Sequence, residues 1–249
     1  MRACHIQYVL LLSLLGFFPC SDTLICQDGS MVKLGQNFSK AAIEWIVNTT
    51  VSETDDTVMC QETLLLIDVG KKSLILGSKG VSRAPNKTKN VHMFSAGPGI
   101  VAASYVHYCD TNKCNRATST NVLLDNLLLS AYDEPGMTKC PICLDFRGSC
   151  DFNANITFCP KDTKCYASAL GIQGGSLSTF FSIFGCLNSS YTFLLNNQSS
   201  IGTIGIRETL ELNTSSSSSH VLVRSTLLAW MLGLRALLSL LSTEICPLS

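Results

Sequence analysis

The sequence predicts an all-β, small, disulfide-rich fold in two tandem modules. Ten cysteines lie between the two chain ends, strand-like runs alternate with Gly- and Asn-containing turns, and helical periodicity is confined to one short segment. The elements below are taken in chain order, beginning with the ends that processing would remove.

Residues 1–22 read as a secretory signal peptide. Arg2 supplies a short positive n-region, and Tyr8 to Phe18 is an almost unbroken apolar run. That run is too short to span a bilayer of about 30 Å as a helix. Cleavage is expected between Cys20 and Thr23. Residues 213–249 read as a Ser-rich anchor region with a removed tail. Small residues from Ser215 to Ser219, with Ser216 the candidate attachment residue, precede the spacer His220 to Thr226 and the apolar run Leu227 to Leu241. This order matches the signal for a GPI anchor. A transmembrane reading would place Arg235 near the middle of that short run, at a cost of about 2.5–3.5 kcal/mol.

Between these ends the composition excludes several classes. Formal charge is zero and no basic run occurs, so a nucleic-acid partner is not expected. Cys4 and Cys20 belong to the signal and Cys246 to the tail, which leaves ten of the thirteen cysteines for an oxidising compartment. Asn-X-Ser/Thr sequons at Asn37, Asn48, Asn86, Asn155, Asn188, Asn197 and Asn213 point to the same compartment.

The cysteines form two groups. Cys26, Cys60, Cys109 and Cys114 fall in a first domain, 24–115; Cys140, Cys143, Cys150, Cys159, Cys165 and Cys186 fall in a second, 140–212. The segment 116–139 reads as a linker with a turn at Asp133-Glu134-Pro135-Gly136. Within it Leu123, Leu124, Leu127 and Leu128 share one face of a short helix, expected either to pack between the domains or to meet a partner. In the first domain, Thr63 to Val69 and Ser73 to Ser78 flank Gly70-Lys71-Lys72 as a hairpin, and Val101 to Tyr108 is a further strand. In the second, Cys165 to Ile172 and Leu177 to Phe184 flank Gly174-Gly175, and a last strand runs through Ile204, Ile206, Leu210 and Leu212.

These residues resemble the Ly-6/urokinase-receptor superfamily, whose domains take the three-finger fold. The first module ends Tyr108-Cys109, then Cys114-Asn115, like the family's closing Cys–Asn signature; the second opens Cys140-Pro141-Ile142-Cys143 with the later cysteines in the family's order. Cys60-Gln61-Glu62-Thr63, Ser78-Lys79-Gly80 and Gly97-Pro98-Gly99-Ile100 are similar to its two-domain, GPI-anchored subgroup, several of whose members are germ-cell or sperm surface proteins. The resemblance implies two tandem three-finger domains and the pairs Cys26–Cys60, Cys109–Cys114, Cys140–Cys165, Cys143–Cys150 and Cys159–Cys186. It also implies that the Asn115 side chain ties strand ends together. Two departures stand out. Val81 replaces a family cysteine whose partner, expected before Cys60, is also absent, and the second module lacks a closing Cys–Asn pair.

Catalysis is not expected. A redox reading of Cys140 and Cys143 needs a helix after the first thiol, which Leu144-Asp145-Phe146 does not suggest. Zinc would compete poorly with disulfides in a secreted chain, so neither metal nor cofactor is expected. His92, His107 and His220 stand in no catalytic motif, and Glu62 and Asp68 read as a solvated strand face. The sequence thus implies a non-enzymatic glycoprotein on the extracellular face of the plasma membrane, from which it is also shed. Its expected partners are the membrane, through the lipid, and other cell-surface glycoproteins, with a role on male germ cells in fertilization. Thiol-redox work at Cys140 and Cys143, or a glycan-bearing coat, are the alternatives. Met93 and Phe94, on a sequon-free segment before Gly97-Pro98-Gly99, read either as a partner-contact loop or, with Phe94 folded inward, as core.

The anchor reading has a direct check. Phosphatidylinositol-specific phospholipase C should release the protein from intact cells; retention while a control GPI protein is released would exclude the anchor.

Overall fold

A computed structural model describes residues 23–84, 86–129, 134–147, 150, 155–174 and 176–211. Residues 1–22, read as a signal peptide, and Asp133, Leu212, Asn213, Ser216 and the rest of 213–249, read as the anchor region and tail, lie outside the described residues. All the described residues belong to one compact unit, and among them no helix is long and apolar enough to cross a membrane.

Among the described residues, fourteen strands and one helical turn follow in order: β1 (Leu24–Gln27), β2 (Gly29–Gly35), β3 (Thr50–Glu53), β4 (Met59–Asp68), β5 (Ser73–Ser82), β6 (Thr88–Ala96), β7 (Val101–Cys109), α1 (Asn121–Leu124), β8 (Pro135–Pro141), β9 (Cys143–Phe146), β10 (Ile156–Pro160), β11 (Thr163–Gly174), β12 (Leu177–Asn188), β13 (Ser200–Ile201) and β14 (Ile204–Leu210). Each module is a five-stranded antiparallel sheet with a two-stranded companion. The first has the order β2-β5-β4-β7-β6 beside β1-β3; the second has β13-β14-β11-β12-β9 beside β10-β8.

β4 is the central strand of the first sheet and is buried on both faces. Strand alternation sends Leu65, Ile67 and Val69 to one side and Leu64 and Leu66 to the other. The first set joins Leu74, Leu76, Phe94 and Ile100 in a core shared with Tyr166, Leu170, Ile172, Phe181 and Ile183 of the second module. The second set packs under Trp45, Tyr105 and Leu123. α1 therefore covers the far side of the first sheet rather than the space between modules. Leu124 and Leu127 lean on that same cluster, and Leu128 is exposed.

The junction between modules is made by backbone. Ile100 N–H donates to the Cys186 carbonyl at 2.7 Å. Gly99, at φ 88°, lies so close that an added Cβ would sit 2.1 Å from that oxygen. Gly185 faces Ile100, whose Cδ1 would be 2.9 Å from a Cβ there. Ser78 and Thr203 hydroxyls meet at 3.4 Å across the same seam.

Three expectations change here. Met93 and Phe94 lie in β6, not at a loop tip: Phe94 is 3% exposed in the shared core, and Met93 packs on the opposite core. The segment is a strand because it pairs along β7 from Thr88 to Ala96, and the Gly97-Pro98-Gly99 turn is consumed by the junction. Glu62 and Asp68 are buried rather than solvated, because both faces of β4 are covered. Pro135 and Gly136 open β8 instead of forming a turn; a Cβ at Gly136 would lie 2.6 Å from the Cys159 carbonyl, so glycine permits the approach to β10.

The shared core predicts coupled unfolding. Ile100→Ala should destabilise by about 2–5 kcal/mol and lower one common thermal transition for both modules. Two separated transitions, of which only one moves, would contradict the coupling.

Candidate functional site

Five bridges close the framework: Cys26–Cys60, Cys109–Cys114, Cys140–Cys165, Cys143–Cys150 and Cys159–Cys186. These are the pairs that the resemblance implies, and Cys140 and Cys143 are not joined to each other. Val81 is the register partner of Cys60 and packs against Cys26, Cys60 and Cys109, so apolar contact occupies the place of the absent bridge. The Sγ atoms of Cys140, Cys159 and Cys186 lie within 4.8 Å of one another, but all three sulfurs are bridged, and a disulfide sulfur is no thiolate ligand for zinc.

Side-chain clasps complement the bridges. Asn115 is buried; its Nδ2 donates to the carbonyls of Gln27 (2.8 Å) and Gln61 (2.9 Å), and its Oδ1 accepts from Gln27 N–H at 2.9 Å. Among the described residues of the second module no asparagine plays this part. Glu208 acts there instead, accepting from Leu194 N–H (2.6 Å), Leu195 N–H (3.0 Å) and the Tyr166 hydroxyl. Glu208 was missed in the sequence, although an acid at an inward position between Ile206 and Leu210 is a signal of buried pairing.

Glu62 gathers a second network and is 2% exposed. It accepts from Tyr105 Oη at 2.8 Å and Ala117 N–H at 3.0 Å, and contacts His107 Nδ1 at 3.0 Å. Lys79 Nζ lies 3.8 Å from it, donates to the Gln27 Oε1 and Ala117 carbonyl oxygens at 2.7 and 2.5 Å, and sits 4.5 Å from the Trp45 ring centre. This arrangement anchors the chain after Asn115 onto the sheet. Every partner of Glu62 is held by the fold, which describes a structural network rather than an acid/base pair facing a substrate. Burial lowers the Lys79 value below 10.5, against the pull of Glu62.

The surface divides between sequon asparagines and apolar side chains. Asn37, Asn48, Asn86, Asn155 and Asn197 are exposed, and Asn188 is half-buried with its Oδ1 accepting from Ser190 N–H at 3.0 Å. On the β8–β10 pair, Cys140, Thr157 and Cys159 face inward while Met137, Lys139, Ile156 and Phe158 share the outward face. Met137, Phe158 and Ile156 are 96%, 61% and 56% exposed, and Lys139 Nζ stands 4.9 Å from the Phe158 ring centre. Beyond this face, an open groove of about 470 Å³ runs over Gly171 and Gly205, with Phe180 and Arg207 along its sides.

Two small disulfide-stapled β modules fused through one core, each with a buried polar clasp, define a tandem three-finger protein. Comparison with known proteins agrees. No family model matches the chain. It is 41% identical over 241 residues to mouse CD177 antigen, covering 92% of this chain and 29% of that protein, so it spans under a third of that relative's length. It is 30% identical to bovine Ly6/PLAUR domain-containing protein 4 (84% of this chain, 86% of that protein) and 28% identical to rat testis-expressed protein 101 (84% of each). The crystal structure of mouse TEX101 aligns with a TM-score of 0.63 at 26% identity, over 75% of this chain and 97% of that one. The chain belongs to the Ly6/PLAUR (Ly-6/urokinase-receptor) family.

The tyrosines predict a pH dependence. Burial, then the charge and hydrogen bond of Glu62, raise Tyr105; burial and Glu208 do the same to Tyr166. Folded-state values above the unfolded ones mean stability that is full below about pH 10 and lost as pH rises further. The opposite contribution of Lys79 ends near 10.5. Above it, urea-unfolding stability should fall by about 1.4 kcal/mol per pH unit for each of these tyrosines. Tyr105→Phe with Tyr166→Phe should flatten the slope; an unchanged slope would contradict the assignment.

Proposed function

We propose that this protein is a non-enzymatic, GPI-anchored cell-surface glycoprotein that binds other cell-surface glycoproteins, on male germ cells and in fertilization. The outward face of β8 and β10 carries this reading. Met137, Ile156 and Phe158 expose large apolar side chains together on a rigid sheet, an arrangement that marks protein contact surfaces. Asn155 places a sequon at the start of β10, so a glycan there would border the face and limit which partners approach it. The similarity to testis-expressed protein 101 supports the germ-cell setting, and the Ser-rich region with its short tail supports the anchor. The face takes the place of Met93 and Phe94 as the contact surface.

The test is Met137→Ser with Phe158→Ser in the secreted, anchor-less form. Binding to germ cells, read by flow cytometry, should fall by on the order of tenfold while secretion stays normal, since these exposed side chains contribute little to the core. Unchanged binding would remove this face from the mechanism. Equal binding of the wild type to germ cells and unrelated somatic cells would overturn the germ-cell setting.

A further inference from the structure

Three cysteine sulfurs of the second module, those of Cys140, Cys159 and Cys186, meet at one point, and Cys165 is bonded to the first of them. Cys140 on β8 is bridged to Cys165 on β11, and Cys159 on β10 to Cys186 on β12. The Cys140 sulfur lies within 4.8 Å of both sulfurs of the neighbouring bridge. Cys165 and Cys186 are directly opposed in the β11–β12 ladder. Opposed antiparallel residues stand about 4.5–5.5 Å apart at Cα, inside the range of about 4.4–6.8 Å that a disulfide spans. Exposure is uneven: Cys140, Cys159 and Cys186 are buried, whereas Cys165 is exposed. In the first module Cys26 and Cys60 are both fully buried.

We propose that this cluster is a thiol–disulfide exchange site, entered at Cys165 by an external low-molecular-weight thiol. The incoming thiolate attacks Cys165 Sγ; the new bond is a mixed disulfide, the Cys140–Cys165 bond breaks, and the electron pair leaves on Cys140. The Cys140 thiolate attacks Cys159 Sγ, forming Cys140–Cys159 and releasing Cys186 as thiolate. Cys186 then attacks Cys165 Sγ, forming Cys165–Cys186 and expelling the external thiolate unchanged. No net oxidation or reduction occurs, so the thiol is a catalyst of isomerisation. The consequence is architectural. The starting bridges staple the β8–β10 pair to the five-stranded sheet, whereas each product bridge lies within one sheet. Exchange thus frees the β8–β10 pair from its covalent tie to β11 and β12, while Cys143–Cys150 is untouched. The site does not depend on what the outward face of that pair binds.

The test uses the glycosylated native protein, incubated with reduced glutathione at pH 8, blocked with an alkylating agent and digested with trypsin without reduction. A glutathione adduct should form at Cys165 on the order of tenfold faster than at Cys26 or Cys60. Tryptic cleavage after Lys139, Arg147, Lys161, Lys164 and Arg207 leaves residues 165–207 tied to 140–147 and 148–161 by the starting bridges. The product bridges instead release 165–207 as a separate peptide with an internal disulfide. Adduct formation first at other cysteines, or an adduct at Cys165 with 165–207 never released, would overturn the proposal. Cys165→Ser gives an independent reading, because the Cys140 thiol should then be shared with Cys159 and Cys186. Alkylation of Cys140 alone would contradict the relay, and if that variant is not secreted, the peptide map of the native chain decides.

Discussion

Where Ile100 donates its N–H to the Cys186 carbonyl at 2.7 Å, with Gly99 and Gly185 bare of side chains beside it, the first sheet and the second are close enough to share one interior. Small β modules of this size bury little apolar surface alone. Joining Leu65, Ile67 and Phe94 to Leu170, Phe181 and Ile183 doubles the use of β4, which becomes apolar on both faces. Covering of the opposite face of β4 from within the first module explains why Glu62 and Asp68 are buried. It also explains why Glu62 is surrounded by Tyr105, His107, Lys79 and the Ala117 N–H, since a buried carboxylate without such partners would cost several kcal/mol, about 3–5.

The same interior bears on the missing covalent ties. Val81 packs against the Cys26–Cys60 bridge at the position where the family resemblance implies another cysteine. The second module closes without a Cys–Asn pair because β14 pairs with β11 over six residues and Glu208 holds the Leu194–Leu195 backbone. A carboxylate accepting two backbone N–H groups and a phenol is a charge-assisted clasp, comparable in role to the amide of Asn115 in the first module.

Stability and function therefore occupy different places. The first sheet has its central strand buried on both faces and carries the Glu62 network. The second module carries the open surfaces, with the β8–β10 face of Met137, Ile156 and Phe158 on one side and the groove over Gly171 and Gly205 on another. Sugars at five exposed sequon asparagines would shield much of the remainder. A β8–β10 pair attached to the larger sheet through exchangeable sulfurs makes this the part of the molecule most open to chemical control.

Much was legible in the residues themselves. The fold class, the two cysteine groups and the strands around Gly70 and Gly174-Gly175 follow from local chemistry: β-branched and apolar alternation, turn glycines and the spacing of cysteines. The Asn115 clasp was implied by the resemblance and is seen in the backbone it binds. What sequence could not convey was which faces meet. Alternation in β4 looks half-exposed until Trp45, Tyr105 and the chain around Ala117 cover the face of Leu64 and Leu66, so Glu62 and Asp68 read as solvated; the second module covers the opposite face and decides that Phe94 is core. Gly97-Pro98-Gly99 signals a turn in any context, yet only the approach of Cys186 makes it the junction. Residue pattern determines local conformation and one side of each strand; burial of the other side is set by segments distant in sequence, Ala117 for Glu62 and Cys186 for the Gly97-Pro98-Gly99 turn, which no local periodicity encodes.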